Sequence, residues 1–132
     1  MIGVDTNVIV RLLVADDPEQ AAAAKRLFES FSPVAPGWIS QVVLVETFWV
    51  LRRGYRLQTD AILGAIRALI SADDVVAEQR DVVLAALDDA ANGADFADAL
   101  IARGAQRAGA RTTMTFDARA ADALGGMELL TP

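Results

Sequence analysis

The chain has 132 residues, which is long enough for one domain with a hydrophobic core and too short for two. Because 54% of the residues are hydrophobic and the formal net charge is −6, the composition argues against a disordered chain and against a simple basic nucleic-acid binder. The sequence contains no histidine and no cysteine. It therefore lacks the commonest general base, the usual nitrogen and sulfur metal ligands and any thiol nucleophile.

The N-terminal segment lacks the pattern of a secretory signal, because no basic region precedes its apolar residues and Asp5 interrupts them. No apolar run reaches the roughly 20 residues that a membrane-spanning helix needs. The absence of cysteine also rules out a disulfide framework. We therefore expect a cytoplasmic protein that does not interact with a membrane.

Apolar runs, helix caps and Gly or Pro breaks predict short strands that alternate with helices. The predicted strands cover residues 2–4, 38–39, 75–76, 111–116 and 127–130. The predicted helices cover residues 6–14, 21–31, 40–53, 59–70, 80–91, 95–108 and 118–124. Such alternation predicts an α/β fold, in which a parallel sheet is covered by helices on both faces. In these folds ligands gather at the carboxyl ends of the strands.

Several acidic residues lie where a predicted strand ends or a predicted helix begins. Asp5 follows the first strand, Asp117 follows the fourth, and Asp95 and Asp98 open a helix. Each of them has a structural interpretation as a helix cap or as a favourable charge in a first turn. However, Asp95 and Asp98 are three residues apart, so their carboxylates project from roughly one face of the helix. Two like charges this close repel each other unless a cation lies between them.

Glu46 is the only charged residue in the segment 42–51, and an entirely apolar helix is expected to be buried on nearly every side. A buried carboxylate costs roughly several kcal/mol unless it is paired or bound to a metal. A salt bridge to an arginine is the structural alternative. Taken with the four aspartates, Glu46 favours a site for hard divalent cations such as Mg²⁺ or Mn²⁺, which prefer oxygen ligands.

A smaller set of polar and aromatic residues has a structural and a functional interpretation. Ser40 is expected to cap the helix that carries Glu46. The one basic cluster, Arg52, Arg53 and Arg56, is interpreted as a solvated helix end, with contact to RNA phosphates as the functional alternative. Four aromatic residues are expected in a core or a subunit interface, with base stacking as the functional alternative: Trp38, Phe48, Trp49 and Tyr55.

Four segments together resemble the PIN-domain proteins, and specifically the VapC-type toxins of bacterial toxin–antitoxin pairs. In chain order they are Val4-Asp5-Thr6-Asn7, Pro36-Gly37-Trp38-Ile39-Ser40 leading to Glu46, residues 94–102, and Thr115-Phe116-Asp117. Their order and spacing, and the length of the chain, carry the resemblance. It implies a three-layer α/β/α sandwich with a central parallel sheet, formed by a single PIN domain over residues 1–132. It also implies a ribonuclease activity that depends on Mg²⁺ or Mn²⁺.

The resemblance further implies roles for individual residues. The family's four catalytic and metal-binding acids fall on Asp5, Glu46, Asp98 and Asp117. Asp95 is an additional acid that is expected to contribute to the metal site, and Thr6 and Thr115 match the family's hydroxyl positions. Members usually form homodimers and are inhibited by a small antitoxin of the VapB type, and a basic partner of this kind would suit an acidic chain.

Two functions of different classes remain open. The first is a metal-dependent endoribonuclease that acts as a toxin and hydrolyses RNA phosphodiesters with metal-activated water. Without histidine, cleavage by paired imidazoles is excluded, which favours hydrolysis. The second is a non-catalytic PIN-like module that binds a partner or RNA. An aspartyl-phosphate phosphatase is disfavoured, because Asn7 stands where that chemistry needs a second acid and the single lysine, Lys25, is distant in the sequence.

Overall fold

The computed structural model describes residues 1–132 and contains five short strands and seven α-helices in the predicted alternating order. The strands are β1 (Ile2–Gly3), β2 (Gly37–Ile39), β3 (Val75–Ala77), β4 (Thr113–Thr115) and β5 (Met127–Leu129). The helices are α1 (Thr6–Leu13), α2 (Pro18–Glu29), α3 (Gln41–Trp49), α4 (Thr59–Ser71), α5 (Arg80–Ala91), α6 (Phe96–Arg107) and α7 (Ala118–Ala123). A π-helical turn, Val50–Gly54, continues α3. None of these helices has the length and apolar character needed to cross a membrane.

The chain divides into two compact units, Met1–Arg80 and Asp81–Pro132. All strand pairs are parallel, as the alternation of strands and helices predicted. The first unit holds a three-stranded sheet in the order β1-β2-β3, and the second holds a two-stranded sheet of β4 and β5. The expected α/β fold class with parallel strands is therefore confirmed, whereas the single domain over residues 1–132 stays a prediction.

The first unit is built on apolar side chains that its sheet and helices share. Ile9 from α1, Ile39 from β2, Leu44 from α3 and Ile66 from α4 are all 0% exposed. The main chain of β1 is fixed against β2 by a hydrogen bond from the Val4 amide to the Trp38 carbonyl oxygen, at 2.9 Å. Val4 is the first residue after β1, and Asp5 follows it directly.

The second unit places α6 beside α5 through a bidentate ion pair. Arg103 donates from Nε and Nη2 to the two carboxylate oxygens of Asp89, at 2.7 and 2.8 Å. Gly93, which lies between the two helices, has a φ of 108°, a value that favours glycine. The predicted break between these helices is therefore confirmed, and it determines where α6 and its acidic first turn begin.

Candidate active site

Asp5 lies at the carboxyl end of β1 and is the N-cap of α1. One of its carboxylate oxygens accepts a hydrogen bond from the backbone N–H of Thr6 at 2.8 Å. The structural interpretation of Asp5 as a helix cap is therefore confirmed. Because the side chain is exposed, its second oxygen remains accessible from solvent.

The neighbour of Asp5 makes the contact that links α1 to α3. The Thr6 hydroxyl donates a hydrogen bond to Oε1 of Glu46 at 3.1 Å. Thr6 is 6% exposed, so the hydroxyl is held by the surrounding packing and fixes the carboxylate that it touches. The first unit therefore brings Glu46 beside the residue that follows Asp5, although 40 positions separate Thr6 from Glu46 in the sequence.

The prediction that the helix carrying Glu46 is buried on nearly every side is wrong. Leu44 and Thr47 are 0% exposed, but Val42 is 68% and Trp49 is 48% exposed, and Glu46 is exposed as well. Residues 42, 46 and 49 recur at intervals of four and three, so they share one face of α3, and this face is not covered. The Glu46 carboxylate is therefore not destabilised by the burial that the sequence had suggested. Its hydrogen-bond partner is the Thr6 hydroxyl and not an arginine.

The acids of the second unit also have the local roles that their positions suggested. Asp95 is the N-cap of α6 and accepts a hydrogen bond from the backbone N–H of Asp98 at 3.0 Å. Asp117 is the N-cap of α7, and its Oδ1 accepts from the backbone N–H groups of Arg119 and Ala120 at 2.9 and 3.1 Å. The Thr115 hydroxyl accepts from the Asp117 amide at 3.0 Å and so fixes the turn between β4 and α7.

Asp98 is a candidate acid whose pKa is clearly shifted. Partial burial raises the pKa of the Asp98 carboxyl, and the negative charges of Asp95 and then Asp117 raise it further. The second unit therefore places the charges of Asp95 and Asp117 close enough to Asp98 to disfavour the ionised form of the Asp98 carboxyl. A cation near them would reverse this effect, because it favours the ionised carboxylate.

The candidate acids offer the donor set that a hard divalent cation prefers. Each of Asp5, Glu46, Asp95 and Asp117 uses one carboxylate oxygen for its hydrogen bonds, and these bonds leave the second oxygen available. No three acidic side chains are grouped closely enough to hold a metal ion by themselves. Mg²⁺ usually takes one or two carboxylates and retains several waters, so the carboxylates of each unit have the chemistry of a site that water completes.

Comparison with known families gives a match over nearly the whole chain. A sequence model of the PIN domain matches residues 2–125. The chain belongs to the PIN-domain family. This membership confirms the resemblance to PIN-domain proteins that the four sequence segments carried, and it supports nuclease chemistry of the hydrolase class for this chain.

Among solved structures, the chain is similar to VapC20 of Mycobacterium tuberculosis, which is described as a Sarcin-Ricin loop cleaving toxin. The two chains are 26% identical, the similarity covers 93% of this chain and 95% of VapC20, and the TM-score is 0.47. No curated protein shows a significant match.

Proposed function

We propose that this PIN-domain chain is a Mg²⁺- or Mn²⁺-dependent endoribonuclease that acts as the VapC-type toxin of a toxin–antitoxin pair. The observation that carries the proposal is how the acids are held. Backbone N–H groups and one hydroxyl orient Asp5, Glu46, Asp95 and Asp117, and each keeps a carboxylate oxygen for a ligand. The ion pairs of the chain use other acids, for example Asp89 with Arg103. Oriented carboxylates without a paired cation suit a metal site.

The residues have distinct roles in this proposal. Asp5, Glu46, Asp98 and Asp117 are the catalytic acids, and they bind the metal directly or through water together with Asp95. When it is bound, a divalent cation lowers the pKa of a coordinated water and stabilises the charge of the phosphate oxygens. The protein holds the acids in place for this chemistry. Thr6 orients Glu46, and the turns at α6 and α7 orient Asp95 and Asp117.

The substrate and partners follow from the same proposal. The substrate is RNA, which the chain cleaves at internal phosphodiesters in the cytoplasm. The chain forms a homodimer, and a small VapB-like antitoxin inhibits it. The net charge of −6 supports a partner with basic residues, because complementary charge speeds association and selects the partner.

A specific observation favours the second candidate, a non-catalytic PIN-like module that binds RNA or a partner. Asp5, Asp95 and Asp117 each cap a helix, so all three have a structural reason to be acidic. Asparagine caps a helix about as well as aspartate does, but it is a weaker metal ligand because it carries no charge. Substitution of Asp by Asn therefore separates the two functions.

Growth arrest in cells tests the toxin proposal. Wild type, Asp5→Asn and the control Asp60→Asn are induced at matched expression levels; Asp60 is an exposed aspartate in the first turn of α4. We expect wild type and Asp60→Asn to arrest growth and Asp5→Asn to permit it, because the asparagine side chain retains the cap and loses the charge. Arrest by Asp5→Asn, or growth with wild type, would remove the toxin proposal.

A further inference from the structure

A cleft of about 350 Å³ lies between α1 and α2 of the first unit. Val8 from α1 and Ala23 and Leu27 from α2 form its apolar walls. Its polar groups are the side chains of Asn7, Arg11 and Gln20. The volume is at the lower end of the range of roughly 300–1,000 Å³ that small-molecule sites occupy, which suits a single nucleotide.

The cleft begins close to the candidate active site. Asn7, at one end of it, is two residues after Asp5 in the first turn of α1. Asn7 and Arg11 are four residues apart and lie on the same face of that helix, about 6 Å from each other along its axis. A nucleotide strand that binds at Asp5 can therefore place a neighbouring nucleotide in the cleft.

Arg11 is held in one orientation by contacts from three directions. Its Nε donates to Oε1 of Gln20 at 2.7 Å, and its Nη1 donates to the Tyr55 hydroxyl at 3.2 Å. The Tyr55 hydroxyl in turn donates to Asp16 at 2.8 Å, and Asp16 lies 3.7 Å from Nη1 of Arg11. These contacts fix the guanidinium before any ligand arrives and leave Nη2 available.

The polar groups that remain available in the cleft are mainly donors. Because Gln20 accepts from Arg11 with its carbonyl oxygen, its amide nitrogen is the group that it can offer to a ligand. Nη2 of Arg11 is likewise a donor. Guanine presents two adjacent acceptors, N7 and O6, on one edge, and arginine is their commonest specific partner. Apolar side chains such as Val8 and Leu27 can cover the faces of the base.

We propose that this cleft is a nucleotide subsite, which selects a guanine next to the phosphodiester that the chain cleaves. The inference rests on the proposed ribonuclease function and specifies which substrate sequence that function prefers. Arg11 and Gln20 select the base, and the α1–α2 cleft contains it. The residues that select the base are separate from the acids that bind the metal.

A substitution in the wall of the cleft tests this subsite without changing any polar group. Ala23→Leu fills the cleft, because Ala23 is an exposed alanine on its wall. Ala22→Leu is the matched control, since Ala22 is the adjacent exposed alanine of α2 and does not line the cleft. Both variants keep a strong helix former in α2, so equal Tm values are expected and serve as the check on folding.

Binding is measured by NMR titration of the full chain with GMP, AMP, CMP and UMP in EDTA, so that no cleavage is required. We expect wild type and Ala22→Leu to bind GMP more tightly than the other three nucleotides. Ala23→Leu should weaken GMP binding at least tenfold. Equal binding of all four nucleotides, no binding of GMP, or equal GMP binding by the two variants would overturn the subsite.

Mapping the cut positions on a mixed-sequence RNA separates failure of the subsite from failure of the proposed function. We expect wild type and Ala22→Leu to cut beside guanines and Ala23→Leu to lose this preference. If GMP binds as expected but wild type does not cut RNA, the ribonuclease proposal fails, and the cleft stands as a site that binds guanine nucleotides without a role in cleavage. If Ala23→Leu cuts and binds GMP like wild type but escapes inhibition by a co-expressed protein, the cleft contacts protein and the subsite is wrong.

Discussion

At the scale of single residues, the hydrogen bonds that orient the candidate acids use one carboxylate oxygen and leave the other for the proposed metal. In Asp117, Oδ1 accepts both backbone hydrogen bonds, and Oδ2 takes part in neither. In Glu46, the Thr6 hydroxyl contacts Oε1 alone. One carboxylate can therefore cap a helix with one oxygen and bind a cation with the other. The two roles can be separated by substitutions that keep the hydrogen bond and remove the charge.

Asp117 gives the clearest separation of these roles. Asp117→Ala should lower the free energy of unfolding by about 1 kcal/mol, because two backbone N–H groups of α7 lose their acceptor. Asp117→Asn should keep nearly full stability, since asparagine also caps helices. Urea unfolding of the two variants checks this difference. Both variants should lose RNA cleavage, and an active Asp117→Asn would limit Asp117 to a structural role.

The raised pKa of Asp98 predicts that the stability of the folded chain depends on pH. Its pKa is raised in the folded chain by partial burial, Asp95 and Asp117, so the folded state binds this proton more tightly than the unfolded state does. The stability from Asp98 is therefore present below its unfolded pKa and is lost as the pH rises through its folded pKa. In metal-free buffer at neutral pH, Asp98→Asn should have a higher Tm than wild type.

Thermal melts from about pH 4 to pH 7 check this prediction, because that range begins near the unperturbed pKa of aspartate. The decline of Tm with rising pH should be shallower in Asp98→Asn than in wild type. Mn²⁺ should raise the Tm of wild type more than that of Asp98→Asn, because a cation that binds the folded state stabilises it. A lower Tm for metal-free Asp98→Asn at neutral pH would contradict the repulsion among these carboxylates.

At the scale of helices and strands, local signals in the sequence were sufficient to predict most boundaries. The predicted cap at Ser40 is confirmed, because its hydroxyl accepts from the Val43 amide at 3.1 Å. The bounds of α5 agree with residues 80–91, since Asn92 and Gly93 end the helix where they were expected to. Capping residues and left-handed glycines act within one helical turn, so their effects can be predicted from short segments.

Contacts between distant segments could not be predicted in this way. The nearly uniform apolar character of α3 carries no periodicity, so the sequence did not reveal that Val42, Glu46 and Trp49 share an exposed face. The hydrogen bond from Thr6 to Glu46 and the one from Arg11 to Tyr55 span 40 and 44 positions. Such contacts depend on tertiary packing. The candidate acids could therefore be named from the sequence, but the groups that orient Glu46 and form the α1–α2 cleft could not.

Gly37 in β2 packs against Phe31 so closely that we expect no larger residue to fit there without loss of stability. A Cβ at this position would lie 2.8 Å from Cδ2 of Phe31, a ring that is 7% exposed and cannot easily move. Gly37→Ala should therefore destabilise the chain by about 1–3 kcal/mol, as is typical of overpacking. Gly3→Ala in β1 is the control, because a Cβ there meets no atom within 4 Å. Urea unfolding measures the stability of both variants. Equal stability of Gly37→Ala and Gly3→Ala would show that the Phe31 ring can move to accept a Cβ at position 37.

At the scale of the whole molecule, the charge of the chain bears on the proposed action on RNA. A net charge of −6 disfavours the approach of a polyanion, and divalent cations at the acidic residues would offset part of this charge. The basic residues near α3 offer one further contact for RNA phosphates. Arg53 stacks on the exposed ring of Trp49 at 3.7 Å from the ring centroid, in the π-helical turn that follows the helix. Under the proposed function, we therefore expect the chain to depend on bound cations more than a basic ribonuclease does.

The most direct test of the central claim is the rate of cleavage of a labelled single-stranded RNA as Mg²⁺ is titrated. Wild type, Glu46→Gln and the control Glu128→Gln are compared, because Glu128 is an exposed glutamate of β5. Wild type and Glu128→Gln should cleave equally with Mg²⁺ and stop in EDTA. Glu46→Gln should lose at least the roughly 10- to 100-fold that changes around metal ligands cost. Cleavage that continues in EDTA, or an unchanged rate for Glu46→Gln, would contradict metal-dependent catalysis by these carboxylates.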